Sequence, residues 1–279
     1  IGALTTKAIE GYAAQEQLVG GVETLFKTSS DTVVGYANDA YKTAGMSANE
    51  YMETVTSFSA SLLASMNNDT AAAAEKANVA ITDMSDNANK MGTDISLIQN
   101  AYNGFAKQNY TMLDNLKLGY GGTKEEMQRL LDDASKLSGI KYDISSYSDV
   151  VDAIHVVQTE MGITGTTAKE ASTTIEGSVS SMSSAWDNWV AGMADSEANF
   201  SQLTSNLVDS IVTVVGNIAP RVIETVPRLV SGLGEIVEQL ATYIPQVIQE
   251  LLPPLMSGVQ DLLNTLVGML PEMISIIGQ

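Results

Sequence analysis

Cysteine is absent from all 279 residues. That excludes a disulfide framework or a thiolate metal site and leaves the compartment undetermined. Histidine occurs once, as His155, so metal sites built on several imidazoles cannot be assembled. A Ser-His-Asp arrangement would have to rest on that single ring. Proline is absent before Pro220, and all six prolines fall in the last stretch of the chain. The first 219 residues therefore lack the strongest helix breaker. Aromatic and β-branched runs are short there, while Ala, Met, Leu, Glu, Gln and Lys recur, and the fold class expected is all-α.

Positive charge is also scarce: 14 Lys and Arg against 33 Asp and Glu give a net charge of −19. Such a surface repels phosphate backbones, so direct nucleic-acid binding is not expected, although an acidic object beside DNA would not stick to it. No signal peptide is legible. The chain opens on Ile1 and stops within an apolar stretch, which reads as an excerpt of something longer.

What is present is helix punctuation. Ser47/Glu50, Thr123/Glu126 and Thr167/Glu170 have the spacing of capping boxes, and Asp31, Asp69 and Asp94 are candidate N-caps. Gly45, Gly92, Gly139 and Gly162 stand where helices should stop. The pattern predicts helices near 15–28, 31–44, 48–66, 70–91, 95–108, 124–138, 147–161 and 167–194. Between 126 and 137, Met127, Leu130, Leu131, Ala134 and Leu137 form one apolar face opposite Lys124, Glu125, Gln128, Arg129, Asp132 and Asp133. The G-Y-G-G run at 119–122 reads as a turn using left-handed backbone angles. Residues 163–184 turn to Ser, Thr and Gly, a solvated or adaptable helix, with Trp186 and Trp189 just beyond.

The chain after Phe200 is different material. An offset of 26 residues pairs Pro227 with Pro253, Leu229 with Leu255, Ser231 with Ser257, Gly232 with Gly258, Leu240 with Leu266, Pro245 with Pro271 and Ile248 with Ile274. The acids keep step, Glu224 with Glu250 and Glu235 with Asp261. Two domains are expected, a helical core at 1–195 and an apolar region of Pro-containing repeats at 196–279, the prolines restarting helices. The longest uncharged stretches, 210–220, 239–249 and 262–271, run 10 or 11 residues, short of the roughly 20 a spanning helix needs. Membrane contact would therefore be conditional on bundling that turns the acids inward. The residues expected to face a membrane are Val214, Val226, Leu240, Ile244, Leu252, Leu266, Leu270 and Ile274.

Chemistry is hard to find. His155 lies in the apolar run A-I-H-V-V and reads as a packed or partly buried structural histidine. Asp132–Asp133 and Glu125–Glu126 are adjacent acids whose side chains diverge on a helix, and a solvated face is expected. Thr123-Lys124 after the glycines only approximates a phosphate loop, with no strand before it. No catalytic residue, metal ligand or cofactor site is expected.

Four ordered blocks are recognisable. They are T-A-G-M-S-A-N-E-Y-M-E-T-V-T-S-F-S-A-S-L-L at 43–63, A-I-T-D-M-S-D-N-A-N-K-M-G-T at 80–93, the 36 residues from Q-N-A-Y-N-G-F-A-K-Q-N-Y to M-Q-R-L-L-D-D-A at 99–134, and I-H-V-V-Q-T-E-M-G-I-T-G-T-T-A-K-E-A-S-T-T-I-E-G-S at 154–178. Together they resemble the core of phage tail tape measure proteins over about residues 13–189. The resemblance implies a structural ruler and assembly scaffold, with no activity in this core and no cofactor. It also implies a few parallel copies in the lumen of a tail tube, with the major tail tube protein, tail assembly chaperones and tail tip proteins as partners. Chain length would set tail length. The tape would leave ahead of the genome at ejection, its apolar region helping to form a route across the host membrane. A continuous helix of 279 residues would span roughly 420 Å, but the glycine stops argue for a bundle of short helices followed by Pro-punctuated amphipathic helices, extended or coiled in the assembled state. The alternative class is a pore-forming or membrane-active helical protein with no part in length control.

Overall fold

The computed structural model describes residues 2–243, 256–258, 260 and 261. Among these the chain is all-α, with ten α-helices and no strand. It divides into two compact units, Ile1–Ser210 and Ile211–Gln279.

The first unit contains α1 (Gly2–Phe26), α2 (Ser30–Thr43), α3 (Ala48–Ser65), α4 (Thr70–Met91), α5 (Ile95–Phe105), α6 (Lys124–Ser138), α7 (Tyr147–Glu160), α8 (Thr166–Thr173) and α9 (Ile175–Gly192). The tenth, α10, runs from Phe200 to Tyr243. α4 is the hub of the bundle, packing on α1, α2, α3, α5, α7 and α8, while α6 pairs with α7 and α8 with α9. Tyr51, Tyr102, Phe26, Phe58 and Phe105 are fully buried in its core. Each such side chain removed from water contributes about 1.5–3 kcal/mol.

Local signals set most boundaries. Ser47 and Glu50 form a complete capping box: the Ser47 amide donates to Glu50 Oε2 at 2.8 Å, and the Glu50 amide to Ser47 Oγ at 3.3 Å. Asp69 and Asp94 cap α4 and α5. Thr123 accepts from the Glu126 amide at 3.2 Å, but Glu126 turns its carboxylate to the Gly121 amide and Arg129, so only half a box forms. Asp31 lies in the first turn of α2 rather than at its cap. Thr167 caps nothing: α8 starts after Gly165, and its first amides are held by a carboxylate from another helix.

Three expectations are corrected. The first helix begins at Gly2, not near 15; Gly11 sits so close to α9 that an added Cβ would lie 3.2 Å from that of Ala191. The helix expected over 167–194 breaks at Thr174, whose extended backbone ends α8 and whose hydroxyl caps α9 by accepting from the Gly177 amide at 3.0 Å. On α6, Met127, Leu130, Leu131 and Ala134 are buried as the period requires, but Leu137 in the last turn is 50% exposed. In the G-Y-G-G turn only Gly119 takes a positive φ, at +85°. Gly122 is needed for closeness instead, because a Cβ there would fall 2.3 Å from the Thr111 carbonyl oxygen.

The prolines do not restart helices in the described part of the chain. α10 continues through Pro220 and Pro227. Each proline removes one backbone donor, leaving the carbonyls of Gly216 and Ile223 without their usual amide four residues on.

Candidate functional site

At 3.6 residues per turn, the charged residues of α10 sort onto one side. Asp209, Arg221, Glu224, Arg228, Glu235 and Glu238 fall within an arc of about 120°. Pro220 and Pro227 project from the same arc, where the unpaired carbonyls next to them can reach water. The opposite arc is apolar and open to solvent. Val212 is 45% exposed, Val222 43%, Ile223 72%, Leu229 57%, Val230 47% and Ile236 55%. α10 is the one described helix long and apolar enough, by length and composition, to cross a membrane. Its one-sided charge instead suits a helix lying at a boundary, with one face to water and one to an apolar phase.

The expected membrane-facing residues are distributed unevenly over this surface. Val214 is buried at 8% exposure, and Val226 is half-buried. Leu240 lies on α10. Ile244, Leu252, Leu266, Leu270 and Ile274 lie outside the described residues. The strongly exposed positions, Ile223 and Leu229 above all, were legible only once the helix was known to pass both prolines in one register.

Where α10 starts, aromatic rings gather. Trp189 stacks near Trp186 and Phe200, with centroids 5.3 and 5.5 Å apart, and its indole N–H donates to Thr204 Oγ1 at 3.1 Å. Trp186 remains 42% exposed.

A second arrangement lies inside the bundle. α4 buries Asp83, Ser85, Asp86 and Asn87 in succession. His155 Nδ1 on α7 lies within hydrogen-bond distance of both Asp83 oxygens, at 3.0 and 2.9 Å. The Asp83 hydrogen bond holds the imidazole above its usual pKa, against a smaller opposing effect of burial. Burial in turn pushes the Asp83 carboxyl up, with His155 opposing. One turn along, Asp86 accepts from the amides of Gly165 and Thr167, the latter at 2.8 Å, and so fixes the start of α8. Asn87 donates to the Leu116 carbonyl at 3.0 Å, and Lys76 pairs with Asp152 across α4 and α7. These bonds tie α7, α8 and the Leu113–Leu116 turn to one face of α4. Sequence reading placed His155 as a packed residue but missed its partner; the only signal was an acid at each end of the D-M-S-D run, one helical turn apart.

No protein-family model, curated protein or solved structure matches this chain.

Proposed function

We propose that this chain is a structural ruler and assembly scaffold of a phage tail tube, without catalytic activity, whose α10 face meets an apolar partner when the tape is released. The observation that carries this reading is the set of four ordered blocks resembling tape measure proteins. They fall on α3, the second half of α4, α5 to α6, and α7 to α9, the helices that build the bundle. In this reading a few parallel copies occupy the tube lumen. The tube protein polymerises around them with chaperone help, and tip proteins hold one end. The acidic surface suits a channel through which DNA must later pass without binding.

The experiment is an in-frame deletion of the repeat unit 252–277 in the phage that carries the chain, with tails measured by electron microscopy. A helical ruler shortens the tail by about 39 Å for 26 residues. Tails of unchanged length would remove this segment from the ruler.

The exposed apolar arc of α10 favours a second reading, a membrane-active helical protein with no role in length control. Truncation before Phe200 separates the two. Altered tail length supports the ruler. Normal tails, together with loss of vesicle leakage, support the membrane-active protein.

A further inference from the structure

A cleft of 630 Å³ opens in the first unit, bordered by the α2–α3 turn, α3, α4, α5, α8 and α9. Its size is that of a small-molecule site. Glu50, Glu53, Glu170 and Glu176 line it, and no Lys or Arg does. Its inner wall includes Ser85 of α4, which is 5% exposed and whose Oγ has no hydrogen-bond partner. Thr167 Oγ1, in the same lining, also lacks one. A buried hydroxyl left unpaired in a well-packed bundle calls for a reason.

Several of the other polar groups are engaged. Gln99 donates to Thr54 Oγ1 at 3.0 Å, Asn89 to Glu170 Oε2 at 2.9 Å, and Ser57 to Asn103 Oδ1 at 3.0 Å. The carboxylates left without a hydrogen bond are those of Glu53 and Glu176, which share the cleft with the unpaired Ser85 and Thr167 hydroxyls, while Ala44, Met46, Ala88 and Ile95 provide apolar wall. Acids of one sign around a cleft focus potential and concentrate cations. They do not converge, however: among the described residues no three acids or histidines come close enough to hold a metal ion. Separated carboxylates beside an apolar wall select an elongated organic cation over a compact inorganic one.

We propose that this cleft binds an alkylammonium ion. Its N–H groups donate to Ser85 Oγ and the rim carboxylates, and its methylene chain lies along the Met46–Ile95 wall. The same head group is carried by a free polyamine and by a lysine side chain. The site is independent of the ruler reading and stands or falls separately from it.

The test is isothermal titration calorimetry of the whole chain at low ionic strength, using spermidine in one arm and Nα-acetyl-lysine methylamide in the other. The expected result is a saturable one-to-one isotherm in at least one arm, the tighter arm identifying the source. Glu53→Gln with Glu176→Gln, two exposed positions, should weaken it at least tenfold, and Ser85→Ala several-fold. Glu125→Gln with Asp132→Asn removes the same charge from the exposed face of α6 and should leave the isotherm unchanged. Equal weakening by both double variants, or heat without saturation in either arm, would overturn the proposal and assign the effect to net charge. Circular dichroism melting of each variant separates lost binding from lost folding.

Discussion

α4 and α10 dispose of apolar and polar surface in opposite ways. α4 is polar by composition, yet ten of its 22 residues are buried, two aspartates and an asparagine among them. α10 is twice as long and far more apolar, yet only 17% of its most apolar window is buried. Burial in this molecule follows the number of helices packed around an element, not that element's hydropathy. α4 is enclosed by neighbours and pairs Asp83, Asp86 and the Asn87 amide N–H internally, through His155, the start of α8 and the Leu116 carbonyl, while Ser85 Oγ stays unpaired. α10 leaves its apolar arc uncovered by any described residue, and an exposed apolar surface of this kind marks an interaction site.

Breaking the enclosed side of this comparison should have the largest effect. Phe58 is 2% exposed and meets Tyr147 edge-on, with centroids 6.2 Å apart. Phe58→Ala should lower unfolding free energy in urea by about 3–5 kcal/mol. Asp86→Asn is next. An amide has one oxygen for the two backbone donors at the start of α8, so one part-buried N–H loses its partner. The expected loss is about 1–3 kcal/mol, with hydrogen exchange accelerated at Gly165–Thr167 before the rest of the bundle. A uniform change across all helices would show that Asp86 is not a local anchor.

The sign of the pH response sharpens the comparison further. The folded-state pKa of His155 is raised, so its pairing with Asp83 stabilises fully below the unfolded imidazole value near 6.5. That stabilisation is lost as pH rises through the folded value. The urea midpoint should therefore fall on going from pH 6.5 to pH 8.5. Because the His155 side chain is 36% exposed, solvent screening keeps the change modest. His155→Gln should flatten it. A midpoint that rises over this interval, or an unaltered slope in the variant, would remove the pair from the pH response.

These features were legible in the sequence to different degrees, for physical reasons. The cap of α3 could be read because Ser47 and Glu50 satisfy one another within four residues, although the Ala48 amide is held from α9 by Asn188. The apolar face of α6 was legible because a 3.6-residue period survives wherever one side is packed. Thr167/Glu170 has the same local spacing as Ser47/Glu50, but Asp86 outcompetes it from another helix, and no local pattern reveals an acceptor 79 to 81 residues away. The continuity of α10 past Pro220 failed for a different reason. Proline was read as a stop, yet on the water-facing side of an amphipathic helix the freed carbonyls can be solvated. The cleft around Ser85 was not legible at all, since its lining is drawn from five helices and a turn that lie far apart in sequence.

The smallest effect on folding, and the most direct probe of the open side, is expected from Leu229→Lys. Leu229 is 57% exposed in the middle of the apolar arc, so the substitution removes little packing, and the unfolding midpoint should shift by less than about 0.5 kcal/mol. A lysine there breaks the one-sided distribution of charge that defines the helix. Dye release from zwitterionic vesicles should fall several-fold if the arc enters lipid, because a charge placed in the apolar phase costs about 2.5–3.5 kcal/mol at mid-bilayer depth. Glu235→Lys, on the charged arc, changes net charge by the same sign and more, and serves as the control; release should persist. If the two substitutions act alike, bulk charge explains the membrane effect and the arc does not. If Leu229→Lys leaves release intact while Glu235→Lys abolishes it, the membrane-facing side of α10 is the one assigned here to water.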